Sequence, residues 1–128
     1  MDKRVVNNGG AIGPYSTAVV AGNHCYVAGT GGFVPGTAQL VKGGLEAEIR
    51  QAMKNLESNV TGAGFRLADV VSTTCYLKDL SLWRLFNEIY AGSFPTDPPA
   101  RATVVVNDLP AGASVELSCI AWRDPARG

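Results

Sequence analysis

The spacing of apolar residues predicts a long helix in the first half of the chain. Over residues 45–60, the apolar positions recur every three or four residues, as on one face of a helix: Leu45, Ile49, Met53, Leu56 and Val60. Gly62 and Gly64 follow at once and are expected to end the helix.

The same spacing predicts a second helix over about residues 80–92. Asp79 is suited to be its N-cap because its carboxylate can accept from free backbone N–H groups. The apolar stripe of this helix consists of Leu82, Phe86, Ile89 and Tyr90. Three prolines then end it and stiffen the connection that follows: Pro95, Pro98 and Pro99.

Residues rich in β-branched side chains predict five strands around these helices. Residues 16–29 predict a hairpin, with Gly22-Asn23 as its two-residue turn. Further strands are predicted over 69–78, 102–106 and 114–122. Residues 31–43, rich in Gly, Pro and Thr, predict a long loop.

The last strand alternates between two kinds of side chain. One face would carry Val115, Leu117, Cys119 and Ala121, and the other Glu116, Ser118, Ile120 and Trp122. Two helices and five or six strands predict a single two-layer α+β domain over residues 1–128, with both helices on one face of a mixed sheet. The other face still carries apolar residues, and a partner subunit is the simplest cover for it.

Composition supports one small domain that self-associates. The 128 residues, of 13.4 kDa, carry 11 basic and 11 acidic residues, which speaks against nucleic acid as the main partner. Only 17% of residues are charged, against about 25% in typical domains. This depletion favours a homo-oligomer, although a surface rich in Gly, Ser, Thr and Asn would also explain it.

Cysteine usage and the apolar runs predict a cytoplasmic protein. Cys25, Cys75 and Cys119 are far apart and show no metal-ligand spacing. The first residues contain no apolar signal core, and no run approaches the ~20 residues that span a membrane. We therefore expect buried thiols in a reducing compartment and no membrane association.

Arg101 and Glu116 are the candidate functional residues. The motifs of serine hydrolases, zinc peptidases and nucleotide-binding loops are absent, and His24, beside the predicted turn, is expected to be an exposed turn residue. Arg101 follows Pro98-Pro99-Ala100 directly before an apolar strand, and its guanidinium can bind a carboxylate through two bonds. One interpretation is a structural ion pair between Arg101 and Glu116, and the other is a functional site.

Short motifs in order along nearly the whole chain resemble the RidA/YjgF family, once labelled L-PSP endoribonuclease. The matching segments are Ala11–Ser16, Val27–Thr30, Asn55, Asp69–Val71, Tyr76–Asp79, Phe86–Tyr90, Pro99–Arg101, Leu109-Pro110 and Val115–Leu117.

This resemblance implies a chorismate-mutase-like α+β fold with a mixed six-stranded sheet and two helices on one face. It also implies a homotrimer with a central barrel and three clefts between subunits. Family members hydrolyse reactive enamine and imine carboxylates, of the 2-iminobutanoate and 2-iminopropanoate type, to 2-oxo acids and ammonia. They use neither a metal nor an organic cofactor.

The resemblance also implies roles for individual residues. Arg101 would bind the substrate carboxylate, and Glu116 would orient the attacking water. Tyr15 would line the cleft and help to position the imine. Gly29 and Thr30 would line the cleft through their backbone, with Asn87 as a nearby support.

The chain departs from the family pattern beside the cleft. Ala28-Gly29-Thr30 stands where Ser-Gly-Gln is usual, so the polar wall near the substrate differs. Some branches with Thr at the third position are associated with aminoacrylate, and another branch acts on 2-aminomuconate. These substrates remain alternatives, as does a trimer that binds small carboxylates without turnover. The neutral charge counts against the endoribonuclease label.

Overall fold

The computed structural model describes residues 3–8 and 11–127 of the protein. Along these residues the principal elements are β1 (Lys3–Val6), β2 (Ala18–Ala21), β3 (His24–Thr30), α1 (Leu45–Gly62), β4 (Val70–Leu77), α2 (Trp83–Ser93), β5 (Ala100–Val105) and β6 (Val115–Trp122).

The strands form one mixed sheet in the order β1-β2-β3-β6-β4-β5. The β4–β5 pair is parallel, and the other neighbouring strands are antiparallel. Helix α1 packs against β3 and β6 with α2 beside it, so the core lies between the helices and one face of the sheet. The predicted two-layer α+β architecture is confirmed.

The strand at the start of the chain was not predicted. β1 pairs with β2 from Lys3↔Ala21 to Val6↔Ala18. It has four residues, and its first three are exposed. A strand that is so short and so little buried leaves no apolar run for sequence analysis to detect.

The predicted hairpin is present and turns at Gly22-Asn23. Ala21 pairs with His24 across the turn, and Gly22 has a φ of 59°. This left-handed conformation is open to glycine and suits a two-residue hairpin turn. His24 is exposed beside the turn, as expected.

Helix α1 follows its predicted stripe with one exception. Ile49, Met53, Leu56 and Val60 are buried, but Leu45, at the first position, is 46% exposed because it lies beyond the edge of the core. The helix runs two residues past Val60 before Gly64, with a φ of 90°, turns the chain away.

The second helix begins later than predicted. Asp79 Oδ1 accepts from the backbone N–H of Ser81 at 2.8 Å. That cap opens a single 3₁₀ turn, Leu80–Leu82, and α2 starts only at Trp83. The predicted stripe residues Phe86, Ile89 and Tyr90 are buried against the sheet.

The face of the sheet opposite the helices, called the open face below, is uncovered in the single chain. Its large apolar residues are about half exposed: Val5 (50%), Tyr26 (46%), Val104 (44%) and Trp122 (41%). Strand β6 divides as predicted, with Val115, Leu117, Cys119 and Ala121 buried and the alternate residues on the open face. Large apolar side chains that are exposed together on one face favour an interaction site there.

The three cysteines are buried in the core, as expected, and none forms a disulfide. Burial raises the pKa of each thiol, and that of Cys119 to about 12. A buried thiol with a raised pKa is a poor nucleophile. No helix in the described part of the chain is long and apolar enough to cross a membrane.

Candidate active site

A cavity of about 550 Å³ opens where the end of β3 meets α1. The sheet contributes Gly29, Thr30 and Glu116 to its wall, and the segment before β2 contributes Tyr15. Loop residues 33–37 and polar side chains of α1 also line it. Four of the six predicted site residues therefore lie around one cavity.

Glu116 supplies the carboxylate of this cavity. It is aligned with Tyr76 of β4 and points to the open face, as the alternation of β6 predicts. Among the described residues, no hydrogen-bond donor or cation contacts its carboxylate. Burial raises its pKa, so the group is an unneutralised base beside an open space.

A β-bulge in β3 places the backbone against Glu116. Val27 is aligned with Cys119 and Thr30 with Leu117, so Ala28 and Gly29 together stand opposite the single residue Ser118. A Cβ built at Gly29 would lie 2.7 Å from Glu116 Cδ and closer still to Oε2. A larger residue at this position would force the Glu116 carboxylate out of its present place.

The side chain of Thr30 is turned into the protein. Its hydroxyl donates to the Ala28 carbonyl at 2.9 Å and accepts from Asn59 Nδ2 at 3.2 Å. Thr30 is 7% exposed. Both hydrogen bonds of its hydroxyl are therefore made to the protein.

Asn55 fixes the loop at the other side of the cavity. Its Nδ2 donates to the carbonyls of Gly31 and Phe33, each at 2.9 Å, and its Oδ1 accepts from Gln51. The loop wall is thereby fixed from α1. Asn55 belongs to the matching segments, but sequence reasoning assigned it no role.

Tyr15 lies at the mouth of the cavity and is 45% exposed. Its hydroxyl accepts from the backbone N–H of Ile12 at 3.4 Å, which folds the preceding loop back on the ring. The ring can therefore contact a molecule in the cavity from the solvent side.

Arg101 lies elsewhere, on the helix side of β5. It is aligned with Thr73, a buried residue on that side of β4. Its Cζ lies 4.8 Å, 5.1 Å and 5.8 Å from the ring centroids of Tyr90, Trp83 and Phe86. These distances allow cation–π attraction, and all three rings belong to α2.

Asn87 is the polar partner of Arg101. Its Oδ1 accepts from Arg101 Nη2 at 2.8 Å, which leaves the other N–H groups of the guanidinium free of protein acceptors among the described residues. None of those residues places a carboxylate within 4.0 Å of Arg101. Asn87 therefore fixes one side of the Arg101 guanidinium.

The ion pair between Arg101 and Glu116 that was considered from the sequence does not form. The two residues lie on opposite faces of the sheet, and β4 separates their strands. Tyr76 of β4 is aligned with Glu116 on one side and with Val104 of β5 on the other. Val104 lies three residues beyond Arg101, so the two groups are also offset along the sheet. A single chain therefore carries both groups but does not bring them together.

These features define a class of protein: a two-layer α+β domain with a half-buried carboxylate in a cleft at the sheet end and a caged arginine at its edge. Comparison with known proteins identifies the family. The chain belongs to the RidA/YjgF family, because its residues 6–123 match the family model described as endoribonuclease L-PSP. The resemblance found in the sequence is thereby confirmed.

Named relatives are similar over most of their length. The human 2-iminobutanoate/2-iminopropanoate deaminase is 40% identical over 116 residues, which cover 91% of this chain and 85% of the relative. The crystal structure of RidA from a Psychrobacter species has a TM-score of 0.86 at 36% identity, over 93% of this chain and 98% of that one. A putative endoribonuclease from Thermotoga maritima has a TM-score of 0.89 at 35% identity, over 94% and 98% of the two chains.

Proposed function

We propose that the protein is a cofactor-independent deaminase that hydrolyses enamine and imine carboxylates to 2-oxo acids and ammonia. The observation that carries this proposal is the Glu116 carboxylate, which lies in the cleft without a cation or donor among the described residues. Relatives named 2-iminobutanoate/2-iminopropanoate deaminase, at about 40% identity, support the same reaction.

The chemistry needs a placed water and a general base. The carbon of an imine that is protonated on nitrogen is already electrophilic. The protein therefore need only orient a water molecule and remove a proton from that water. Glu116 accepts that proton as the water oxygen bonds to the imine carbon. Protonated Glu116 then returns this proton to the nitrogen of the resulting carbinolamine. The C–N bond breaks, the departing ammonia takes the hydroxyl proton and leaves as ammonium, and the carbonyl of the 2-oxo acid remains. Orientation supplies up to roughly 7–11 kcal/mol of such a barrier, and the base about 10²–10⁴-fold in rate.

The substrate carboxylate is bound by Arg101 of a neighbouring subunit. Because Arg101 and Glu116 cannot meet within one chain, the complete site combines the Glu116 cleft of one subunit with the β5 edge of the next. The uncovered open face supplies the surface for this contact. The charge-depleted composition and the family resemblance favour a homotrimer with three such sites.

Subunit mixing tests this shared site. The protein should have a mass three times 13.4 kDa by light scattering. Arg101→Ala and Glu116→Gln are each expected to be inactive alone, but unfolding and refolding them together should restore activity. With equal amounts and random assembly, about a quarter of the interfaces pair an intact Arg101 with an intact Glu116.

Two results would contradict the shared site. One is a monomer at micromolar concentration. The other is a refolded mixture that is no more active than its components. Each variant refolded alone is the matched control, since it undergoes the same treatment.

Gly29→Ala tests the close approach of backbone and carboxylate. The added methyl group occupies the space of Glu116 Oε2, so we expect the carboxylate to turn away and kcat to fall by about tenfold or more, within the range of general-base help. Gly92→Ala is the matched control, because a Cβ there meets no atom within 4 Å. Ammonia release is measured for both variants. Equal activity of the two would show that the position of the carboxylate is not critical.

An ammonia-release assay on freshly generated substrates tests the reaction itself. The panel includes 2-iminopropanoate, 2-iminobutanoate, 3-aminoacrylate and 2-aminomuconate, which cover the alternatives left open by Ala28 and Thr30. Acceleration over spontaneous hydrolysis identifies the substrate class. Tight binding of small carboxylates without acceleration of any of them would instead favour the non-catalytic alternative.

A further inference from the structure

The bulge in β3 changes which way Thr30 points. In a regular strand that continues from Val27, which faces the core, the residue three positions on would face the opposite side. The extra residue of the bulge reverses this, and Thr30 faces the core opposite Leu117. Leu117 directly follows Glu116 along β6. The bulge of β3 therefore lies beside the Glu116 carboxylate in the sheet.

Hydrogen bonds hold this inward-facing residue from both sides. The Thr30 hydroxyl donates to the Ala28 carbonyl across the bulge, and Asn59 Nδ2 of α1 donates to the same hydroxyl. Asn59 is itself held, since its Oδ1 accepts from Asn8 Nδ2 at 3.2 Å. Asn8 also donates from its backbone N–H to Thr17 Oγ1. The bulge is therefore connected to α1 and to the segment before β2.

We propose that Thr30 is a positioning residue for the deamination reaction, and that its hydroxyl, held by Asn59, fixes the bulge that seats Glu116 beside Gly29. This inference rests on the proposed function, because it assigns a role through Glu116. Thr30 does not contact the substrate with its hydroxyl, since both partners of that hydroxyl belong to the protein.

The hydroxyl matters because it supplies a hydrogen bond across the bulge, where the pairing of β3 with β6 shifts register. Among the described residues, the Thr30 hydroxyl is the side-chain group that donates to the Ala28 carbonyl. Valine has the same shape but no hydroxyl, so it would remove both the side-chain donor to that carbonyl and the acceptor of Asn59 Nδ2. Buried polar groups without partners are unfavourable, and the backbone would shift to recover them. Gly29 is in contact range of Glu116, so a small shift moves the carboxylate.

A double-mutant cycle tests the proposal. Thr30→Val should lower kcat by about tenfold, which corresponds to about 1.4 kcal/mol, and should leave KM nearly unchanged. Thr30→Ser, which keeps the hydroxyl, should recover most of this loss. Thr61→Val is the matched control, because Thr61 is exposed on α1 and its hydroxyl bonds only within the helix. Thermal unfolding confirms that each variant is folded.

The decisive comparison is made in the Glu116→Gln background. If Thr30 acts through Glu116, Thr30→Val causes little further loss in that background, since the group that it positions is no longer a base. A residue that merely supports the fold would lower activity equally in both backgrounds. Equal losses, an unaltered kcat for Thr30→Val, or a Thr30→Ser variant as impaired as Thr30→Val would each overturn the proposal.

The cycle also separates this inference from the proposed function. Full activity of Glu116→Gln would refute the proposed function whatever Thr30 does. A strong effect of Glu116→Gln with no effect of Thr30→Val would refute only the positioning role. If Thr30→Val does not fold, Asn59→Ala removes the donor from the helix side and takes its place in the same cycle.

Discussion

Glu116→Gln is expected to lower kcat by 10²-fold or more while the protein stays folded. Glutamine keeps the size and one acceptor oxygen of the side chain, but it cannot take a proton from water. The expected loss is the scale of general-base help. Ammonia release under saturating substrate measures it, and Glu57→Gln, an exposed glutamate of α1, is the matched control.

Ligand binding distinguishes a base from a structural group. Removing a negative charge from an anion site should leave the affinity for a small carboxylate unchanged or raise it. Within the chain Glu116 has no described partner to lose, so thermal unfolding should change little. A loss of a few kcal/mol in stability, together with weaker ligand binding, would instead indicate an ion pair across the subunit interface.

The pH dependence follows from the burial of Glu116. Burial raises the pKa of this carboxyl group. In the proposed complex, the carboxylate of the bound substrate neutralises the Arg101 guanidinium, so this cation does not lower the pKa of Glu116 again. The acid limb of kcat should therefore lie above the ordinary range of a glutamic acid, ~4.3. Activity is lost as the pH falls through the raised pKa, because protonated Glu116 cannot act as a base. The limb should be missing in Glu116→Gln.

Arg101→Lys is expected to be nearly as damaging as Arg101→Ala. A lysine keeps the charge but cannot form two parallel bonds to a carboxylate. It also cannot stack a planar group among the rings of Tyr90, Trp83 and Phe86. Charge-assisted hydrogen bonds contribute about 1.5–3 kcal/mol each, so losing the bidentate contact should lower kcat/KM by about 10²-fold or more.

The measurement is steady-state ammonia release, with Arg84→Lys as the matched control. Arg84 is an exposed arginine on the same helix as the aromatic rings, so the substitution is chemically identical but lies outside the proposed site. Near-normal kcat/KM for Arg101→Lys would count against the two-bond contact. An effect on kcat/KM as large for Arg84→Lys would show that the loss is not specific to the site.

Sequence patterns predicted the elements that have one buried face. Ile49, Met53 and Leu56 mark α1 because only one side of a helix on a sheet is apolar. The outward direction of Glu116 followed from the strict alternation of β6. By contrast, the apolar run after Arg101 shows no alternation, so the sequence left its face undetermined, and the structure places it among the rings of α2.

The direction of Thr30 could not be predicted for a different reason. One extra residue in a strand reverses every side chain beyond it, and a bulge has no composition of its own apart from the glycine it often contains. Gly29 was a signal of this kind, but its contact with Glu116 joins two strands that lie far apart in the sequence. The proposed shared site likewise leaves no signal in a single chain, since its two halves would come together only through assembly.

The placement of Arg101 and Glu116 on opposite faces has a consequence for how this protein tolerates change. In the proposed trimer, exposed apolar residues of the open face, such as Val5, Tyr26 and Trp122, would be as necessary for turnover as the groups that touch substrate. In that trimer, a substitution on the open face would lower the activity of the neighbouring subunits as well as that of the subunit that carries it.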